Sequence, residues 1–179
     1  MTNHRYGPSD FLDTPVGQVM ITVTGAGLAA IDFVPGRSVG DFEADLVRRG
    51  IEPSPDESVL ADVLEELTHY FAGELRTFTS QTDLTGISDF TRRVIAATAE
   101  IPYGETHTYG EIAQAIGSPG ATQAVGNALG ANPVPIVIPC HRVIRGDGSM
   151  GWYTGGQPIK RTLLGLEGVH FPVQRSLEM

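Results

Sequence analysis

Residues 101–144 read IPYGETHTYGEIAQAIGSPGATQAVGNALGANPVPIVIPCHRVI, and the punctuation of this stretch decides how the second half of the chain folds. Thr108 and Glu111 stand three apart as a capping-box pair, so a helix opens there with Ile112, Ala113 and Ile116 on its inner side and Gly117 as its stop. Ser118 as N-cap and Pro119 at the first helical position then predict another helix from Gly120 to about Leu129. Two short helices across a tight Gly-containing turn form a helix-turn-helix pattern, which serves either DNA contact or plain packing. The second helix carries Ala121, Ala124, Gly126, Ala128 and Gly130, and no Lys or Arg lies between Gly120 and Asn132. So bare a surface suits close packing on a neighbouring helix, or pressing its backbone and N-terminal amides against a phosphate strand. Composition does not choose between them.

Upstream, Val19, Ile21 and Val23 alternate with Gln18, Met20 and Thr22, and Gly25-Ala26-Gly27 leads into Leu28–Phe33. That pattern predicts a β-hairpin ended by Pro35-Gly36. A Pro-containing loop, Gly50 to Glu57, precedes a helix with Val59, Leu60, Val63, Leu64, Leu67, Tyr70 and Phe71 at helical spacing, stopped by Gly73. Phe78 to Leu84 reads as extended. Ser88 caps a helix bearing Phe90, Val94 and Ile95, and Ile101 to Gly104 terminates it. Downstream, Gly146-Asp147-Gly148 reads as a hairpin-type turn, and Pro158 starts a helix through Ile159, Leu163 and Leu166 that Gly168 stops.

The chain has 179 residues and a formal net charge of -9, with 41% hydrophobic residues. It can bury a core without disulfides or metal, and no apolar run approaches the roughly 18 residues of a membrane span. The charge is unevenly placed: residues 1–87 hold 5 Lys+Arg against 14 Asp+Glu, whereas residues 88–179 hold 7 against 7. We therefore place a domain boundary between 87 and 88, and only the second segment can approach a polyanion without long-range self-repulsion. The N-terminus lacks the pattern of a secretory signal, which predicts a cytoplasmic protein. One cysteine and five scattered histidines provide neither a disulfide nor zinc-ligand spacing, so no metal is expected.

The only thiol follows the proline-bounded run Asn132 to Pro139. A lone cysteine is usually a small core hydrophobe. Beside Cys140, however, His141 and Arg142 favour thiolate over thiol, which predicts a nucleophile with its pKa drawn down toward neutrality. In extended chain adjacent side chains point oppositely, so His141 reaches the sulfur through a water or across a bend. Gly151-Trp152-Tyr153-Thr154-Gly155-Gly156 combines aromatic surface with flexible backbone, suited to gripping a flat ring.

Pro139-Cys140-His141-Arg142-Val143, preceded by Asn132-Pro133 and Ile101 to Thr106, and followed by Tyr153 to Gly156, Lys160 and Leu163 to Gly168, resembles the O6-alkylguanine-DNA alkyltransferase family in order and spacing. The resemblance covers about Phe90 to Gly168 almost continuously and, more loosely, Thr14 to Gly17 through Tyr70 to Glu74. It implies an α/β N-terminal domain, a small antiparallel sheet with a helix that is ribonuclease H-like, followed by a mainly α C-terminal domain with a helix-turn-helix. It implies direct-reversal repair, in which an alkyl group on O6 of guanine in duplex DNA passes to Cys140 once the nucleotide is flipped out of the stack. The thioether is too stable to hydrolyse, so each molecule works once. No cofactor is implied, and the expected state is a monomer, with cooperative binding along DNA left open.

By the same resemblance Cys140 is the acceptor, His141 the general base, Glu167 its orienter, Asn132 a hinge, and Tyr109 the proton donor to the departing purine. Tyr153, Thr154, Val143, Trp152 and Gly155 fall at the base pocket. The DNA-contacting set is Gln123, Ala124, Gly126, Asn127, Thr108 and Arg142, the arginine also holding local structure through charged hydrogen bonds. Two positions depart from the family. Gln123 stands where an arginine commonly enters the duplex, which predicts weaker capture of the lesion. Trp152 stands where a smaller residue is usual, either narrowing the pocket or covering its outer wall. Two rival readings remain. A non-catalytic sensor of alkylated DNA would lack the cysteine, and a Cys140-His141-Glu167 hydrolase would need the G-x-C-x-G elbow that is absent here.

Overall fold

The computed structural model describes residues 9–34, 44, 47–48 and 57–171. The first half is built on an antiparallel sheet of order β1-β2-β3, from β1 (Ser9–Thr14), β2 (Gly17–Thr24) and β3 (Gly27–Phe33). Ile21 faces Ile31 in the central register. The hairpin is the one expected, and β1 adds a strand the sequence reading omitted. In SDFLDT the two apolar residues are adjacent rather than alternating, and the strand lies at the edge with Phe11 44% exposed. The alternation of β2 also misled: Met20, Thr22 and Thr24 are buried along with their apolar neighbours. The hydroxyls are affordable inside because each has a partner, Thr22 with Ser9 Oγ at 3.0 Å and Thr24 donating to Asp83 Oδ2 at 2.7 Å.

Helix α1 (Glu57–Phe71) lays Leu60, Val63, Leu67 and Tyr70 into the core, and Gly73 ends it with φ +77°. The loop expected through Glu57 is corrected at its last residue, which begins this helix; its remainder, like Pro35-Gly36, lies outside the described residues. Phe78 to Leu84 is irregular, joined to the sheet through a single bridge from Thr82 to Leu28.

The second half is mainly helical: α2 (Asp89–Ala99), α3 (Tyr109–Ala115), α4 (Thr122–Gly130) and α5 (Gln157–Leu166). Ser88 caps α2 by accepting from Thr91 N at 3.2 Å, and the Thr108–Glu111 capping box on α3 is complete. The predicted start of α4 is corrected by two residues. Ser118 N is already committed to Ala113 O and Gly117 N to Gln114 O, a Schellman closure of α3. Ser118 O then accepts from Ala121 N, so Ser118 to Ala121 form a turn and α4 begins at Thr122 without a side-chain cap. Gly146 to Gly148 do turn the chain, but no hairpin ladder flanks them; β5 (Val143–Ile144) pairs in parallel with β4 (His107–Thr108). That short ladder fastens the start of α3 beside the segment leaving Cys140.

One apolar cluster includes Ile21, Leu67 and Tyr70 from the first half and Ile95, Ile112, Val125 and Leu163 from the second. Strand β3 is stitched to later chain by Leu28 N to Gln81 O at 2.8 Å and Ile31 N to Pro133 O at 2.9 Å. At Gly27, φ is +130° and a Cβ would lie 2.3 Å from Gln81 O. Gly27→Ala is therefore expected to cost on the order of 3 kcal/mol. Urea unfolding should show it as a lower midpoint at unchanged slope.

Candidate functional site

Asn132, just past α4, organises the proline-bounded run by bracketing it. Its Oδ1 accepts from Val134 N at 3.1 Å, and its Nδ2 donates to Ile138 O at 3.0 Å and to Cys140 Sγ at 3.2 Å. Within that bracket Ile136 is fully buried at φ +77°, a conformation a β-branched residue adopts only when its surroundings impose it. The run delivers Cys140 into a 3-10 turn, Cys140–Arg142, rather than into extended chain. The expectation of opposed neighbouring side chains is thereby corrected.

All three residues of the turn are buried. His141 Nε2 lies 2.8 Å from Glu167 Oε1. Arg142 donates from Nε to Glu167 Oε2 at 2.8 Å, from Nη2 to Oε1 at 2.9 Å and from Nη1 to Ile101 O at 2.6 Å. Its assignment as a DNA contact is corrected on this ground: the guanidinium is enclosed by Glu167 and the Ile101 carbonyl at 5% exposure. Glu167 also accepts from Tyr70 OH at 2.7 Å and from Gly104 N at 3.2 Å. Burial raises its pKa, but the His141 and Arg142 hydrogen bonds and charges outweigh that and hold it at about 2. Burial lowers the His141 pKa, so the imidazole rests neutral. An ionised carboxylate only accepts, which puts the proton on Nε2 and leaves Nδ1 with its lone pair and without a protein partner.

The thiol itself departs from expectation. Burial pushes the Cys140 pKa up, opposed by the Asn132 hydrogen bond and by the charge of Lys160, so the resting group is a thiol rather than a ready thiolate. Arg142 turns its guanidinium to Glu167 instead, through Nε and Nη2. Lys160, which the sequence reading left outside the site, is fully buried on α5 and donates to the carbonyls of Val143 and Met150. Burial pushes its ammonium down to about 8. Tyr70 was likewise overlooked; it stands 97 residues from the carboxylate it binds, and nothing local signals that pairing.

In front of Cys140 lies a cavity of only about 10 Å³, lined by Tyr109, Gly126, Leu129, Cys140, Trp152, Tyr153 and Thr154. Room for one water needs a comparable volume, so nothing larger enters unless the walls part. Tyr153 is 4% exposed and stands edge-on to His141 with ring centroids 6.4 Å apart. Val143 is fully buried, and Gly155 abuts Phe33, where a Cβ would lie 2.9 Å from the ring. Outside this cavity is a groove of about 740 Å³ formed by Tyr109, Thr122, Gln123, Gly126, Asn127, Gly130, Arg145 and Trp152. The structure thus gathers Tyr109, Gln123, Gly126, Asn127 and Trp152 and adds Arg145, the cation of that wall. Ala124 is exposed on α4 but does not line the groove, and the Thr108 hydroxyl is engaged with Glu111 in the cap. Among the described residues no cluster of three or more His, Cys, Asp or Glu could hold a metal ion, and no helix is long and apolar enough to cross a membrane.

Residues 9–84 match the 6-O-methylguanine DNA methyltransferase ribonuclease-like domain, and residues 89–169 match the DNA binding domain of the same family. A methylated-DNA--protein-cysteine methyltransferase of Mycolicibacterium paratuberculosis is 54% identical over 166 residues, covering 93% of this chain and 95% of that protein. The Mycobacterium tuberculosis protein of the same name is 40% identical over 171 residues, covering 93% and 95%. The crystal structure of Mycobacterium tuberculosis OGT in complex with DNA superposes with a TM-score of 0.74 at 41% identity, covering 88% of this chain and 90% of that one.

The depressed Glu167 pKa makes a stability prediction with a definite sign. A carboxylate held at about 2 in the fold against 4.5 ordinarily contributes stability that is complete above pH 4.5 and is lost as pH falls toward 2. Thermal melts from pH 7 to pH 2 should show the wild type losing more of its Tm across that window than Glu167→Gln, which starts lower at pH 7.

Proposed function

This chain belongs to the 6-O-methylguanine DNA methyltransferase family, and from that premise we propose how its own residues carry out the repair. It is a direct-reversal enzyme acting on DNA, a methylated-DNA--protein-cysteine methyltransferase that takes the alkyl group onto itself and turns over once. The substrate is O6-alkylguanine in duplex DNA, and the acceptor is Cys140. The observation that carries this assignment is the thiol's position: it borders a cavity that shares its lining with the α3–α4 groove, and it adjoins the His141–Glu167 pair.

A purine turned out of the stack brings its O6-alkyl carbon to the sulfur. The Cys140 proton passes through a water to His141 Nδ1, and the ionised Glu167 stabilises the imidazolium that forms. Lys160 and Asn132 stabilise the thiolate by charge and by hydrogen bond. The sulfur's electron pair forms the S–C bond as the C–O6 bond breaks, and the guanine anion takes a proton from the Tyr109 hydroxyl. That hydroxyl donates to Trp152 O at 3.3 Å in the resting state, and burial raises its pKa, so it holds its proton until the base arrives. Thr154, exposed at the rim, is placed to hydrogen-bond guanine O6. Val143 O already accepts from Lys160 and keeps a second lone pair for the exocyclic amine.

The organisation that goes with this proposal is two domains, 1–87 and 88–179, in a chain that acts as a monomer in the cytoplasm. In this proposal the groove of Gln123, Gly126, Asn127 and Arg145 receives the DNA. A sensor without chemistry has no use for the nucleophile and its relay.

Incubation with an oligonucleotide carrying O6-methylguanine should add one methyl group to the intact mass of the chain, once per molecule, and Cys140→Ala should gain none. Unchanged mass with retained DNA binding identifies a sensor, and repeated turnover identifies a hydrolase. The transfer rate should also have an acid limb. Protonation of His141 removes the base, and burial holds that pKa below 6.5, so single-turnover rates should stay level down to pH 6.5 and fall beneath it.

A further inference from the structure

Trp152 is the only tryptophan in the chain and is 60% exposed. A single exposed aromatic is ordinary on a protein surface, so what gives this one meaning is the place it borders. Its indole rests on the backbone of α4 at Gly130, where an added Cβ would come within 3.2 Å of the ring. Its carbonyl accepts from the Tyr109 hydroxyl. Tyr109, Gly126 and Trp152 line both the outer groove and the inner cavity before Cys140, so together they form the border between the two. Gly126 offers no side chain, and Tyr109 has its hydroxyl engaged in the reaction. The remaining member of the border is the indole, an aromatic surface that stays 60% exposed there.

Gln123 lines the same groove. It supplies neither a positive charge nor a planar stacking surface to stabilise a duplex from which one nucleotide has been withdrawn. Extrusion is an unfavourable equilibrium, and whatever binds only the extruded state raises its population. Resting on the proposed transfer to Cys140, we propose that Trp152 is a positioning residue that catches the extruded purine by stacking at the mouth of the pocket. It thereby does from the loop side what Gln123 cannot do from α4. The indole is well suited to the task. It has two side-chain torsions, its orientation is backed by the helix at Gly130, and stacking on a base makes no demand on neighbouring sequence.

Single-turnover methyl transfer from O6-methylguanine should be measured in duplex and in single-stranded oligonucleotides, where less unstacking is required. Trp152→Ala should slow the duplex reaction at least tenfold, and that loss should exceed the single-strand loss at least fivefold. Trp152→Phe should recover most of the duplex rate, and Gln123→Arg placed in the Trp152→Ala chain should recover at least threefold. In Cys140→Ser, which holds the complex before transfer, the fluorescence of the lone tryptophan should be quenched more by the lesion duplex than by undamaged duplex. Equal losses on the two strands would make Trp152 an ordinary pocket wall and overturn the proposal, as would an undiminished duplex rate or a lesion-independent fluorescence signal. Failure of the wild-type chain to gain a methyl group overturns the transfer reading, whereas normal transfer without these differences overturns the role of Trp152 alone.

Discussion

Glu167 keeps a full negative charge in the interior, and five hydrogen bonds make that possible: Tyr70 OH, Gly104 N, His141 Nε2, and Nε and Nη2 of Arg142 all donate to its two oxygens. Burying a carboxylate costs several kcal/mol unless it is paired and hydrogen-bonded, and removing one partner of such a pair typically costs about 3–5 kcal/mol. The arrangement therefore works as a clamp. It joins α1 of the first half to the turn after Pro139 and to the end of α5, and it fixes the tautomer that leaves His141 Nδ1 able to receive a proton. One oxygen of that carboxylate, Oε1, thus binds both Tyr70 of the first half and His141 beside the thiol.

The helices of the second half were legible because their ends are written locally. Capping serines and threonines, stop glycines and Pro158 act within a turn of their own position, and the order of motifs around Cys140 carried the family resemblance. The misreadings share a different cause. The start of α4 moved because Ser118 was already consumed in closing α3. Strand β1 exists through its pairing with β2 rather than through its own pattern. Arg142 turned inward and Lys160 sank beneath the loop because distant carbonyls and Glu167 await them. The thiol's pKa rose where adjacency in sequence suggested a fall, since burial is a property of the whole fold. Tyr70 and Glu167 meet across 97 residues, a contact with no local signature.

The groove beside α4 is lined in part by glycines, Gly126 and Gly130. Gly130 lets the indole of Trp152 rest on α4, where a Cβ would crowd the ring at 3.2 Å, whereas at Gly126 a Cβ would only touch the Tyr109 ring at 3.8 Å. Helix α4 packs inward through Val125, Ala128 and Leu129 and leaves Thr122, Gln123, Ala124 and Asn127 exposed on its other side. The price in charge is visible in Gln123, and Arg145 supplies the compensating cation from another segment.

The concealment of Cys140 at 5% exposure, with its proton retained, bears on the working life of the molecule. A reagent that can be used only once is wasted by any stray electrophile or peroxide that finds it, and sulfur oxidation tracks exposure and thiolate character. Kept closed and protonated until a nucleobase parts the walls, the side chain resists adventitious oxidation and mixed-disulfide formation in the idle protein. What would be sluggish design for a recycling catalyst is durable storage for a disposable one.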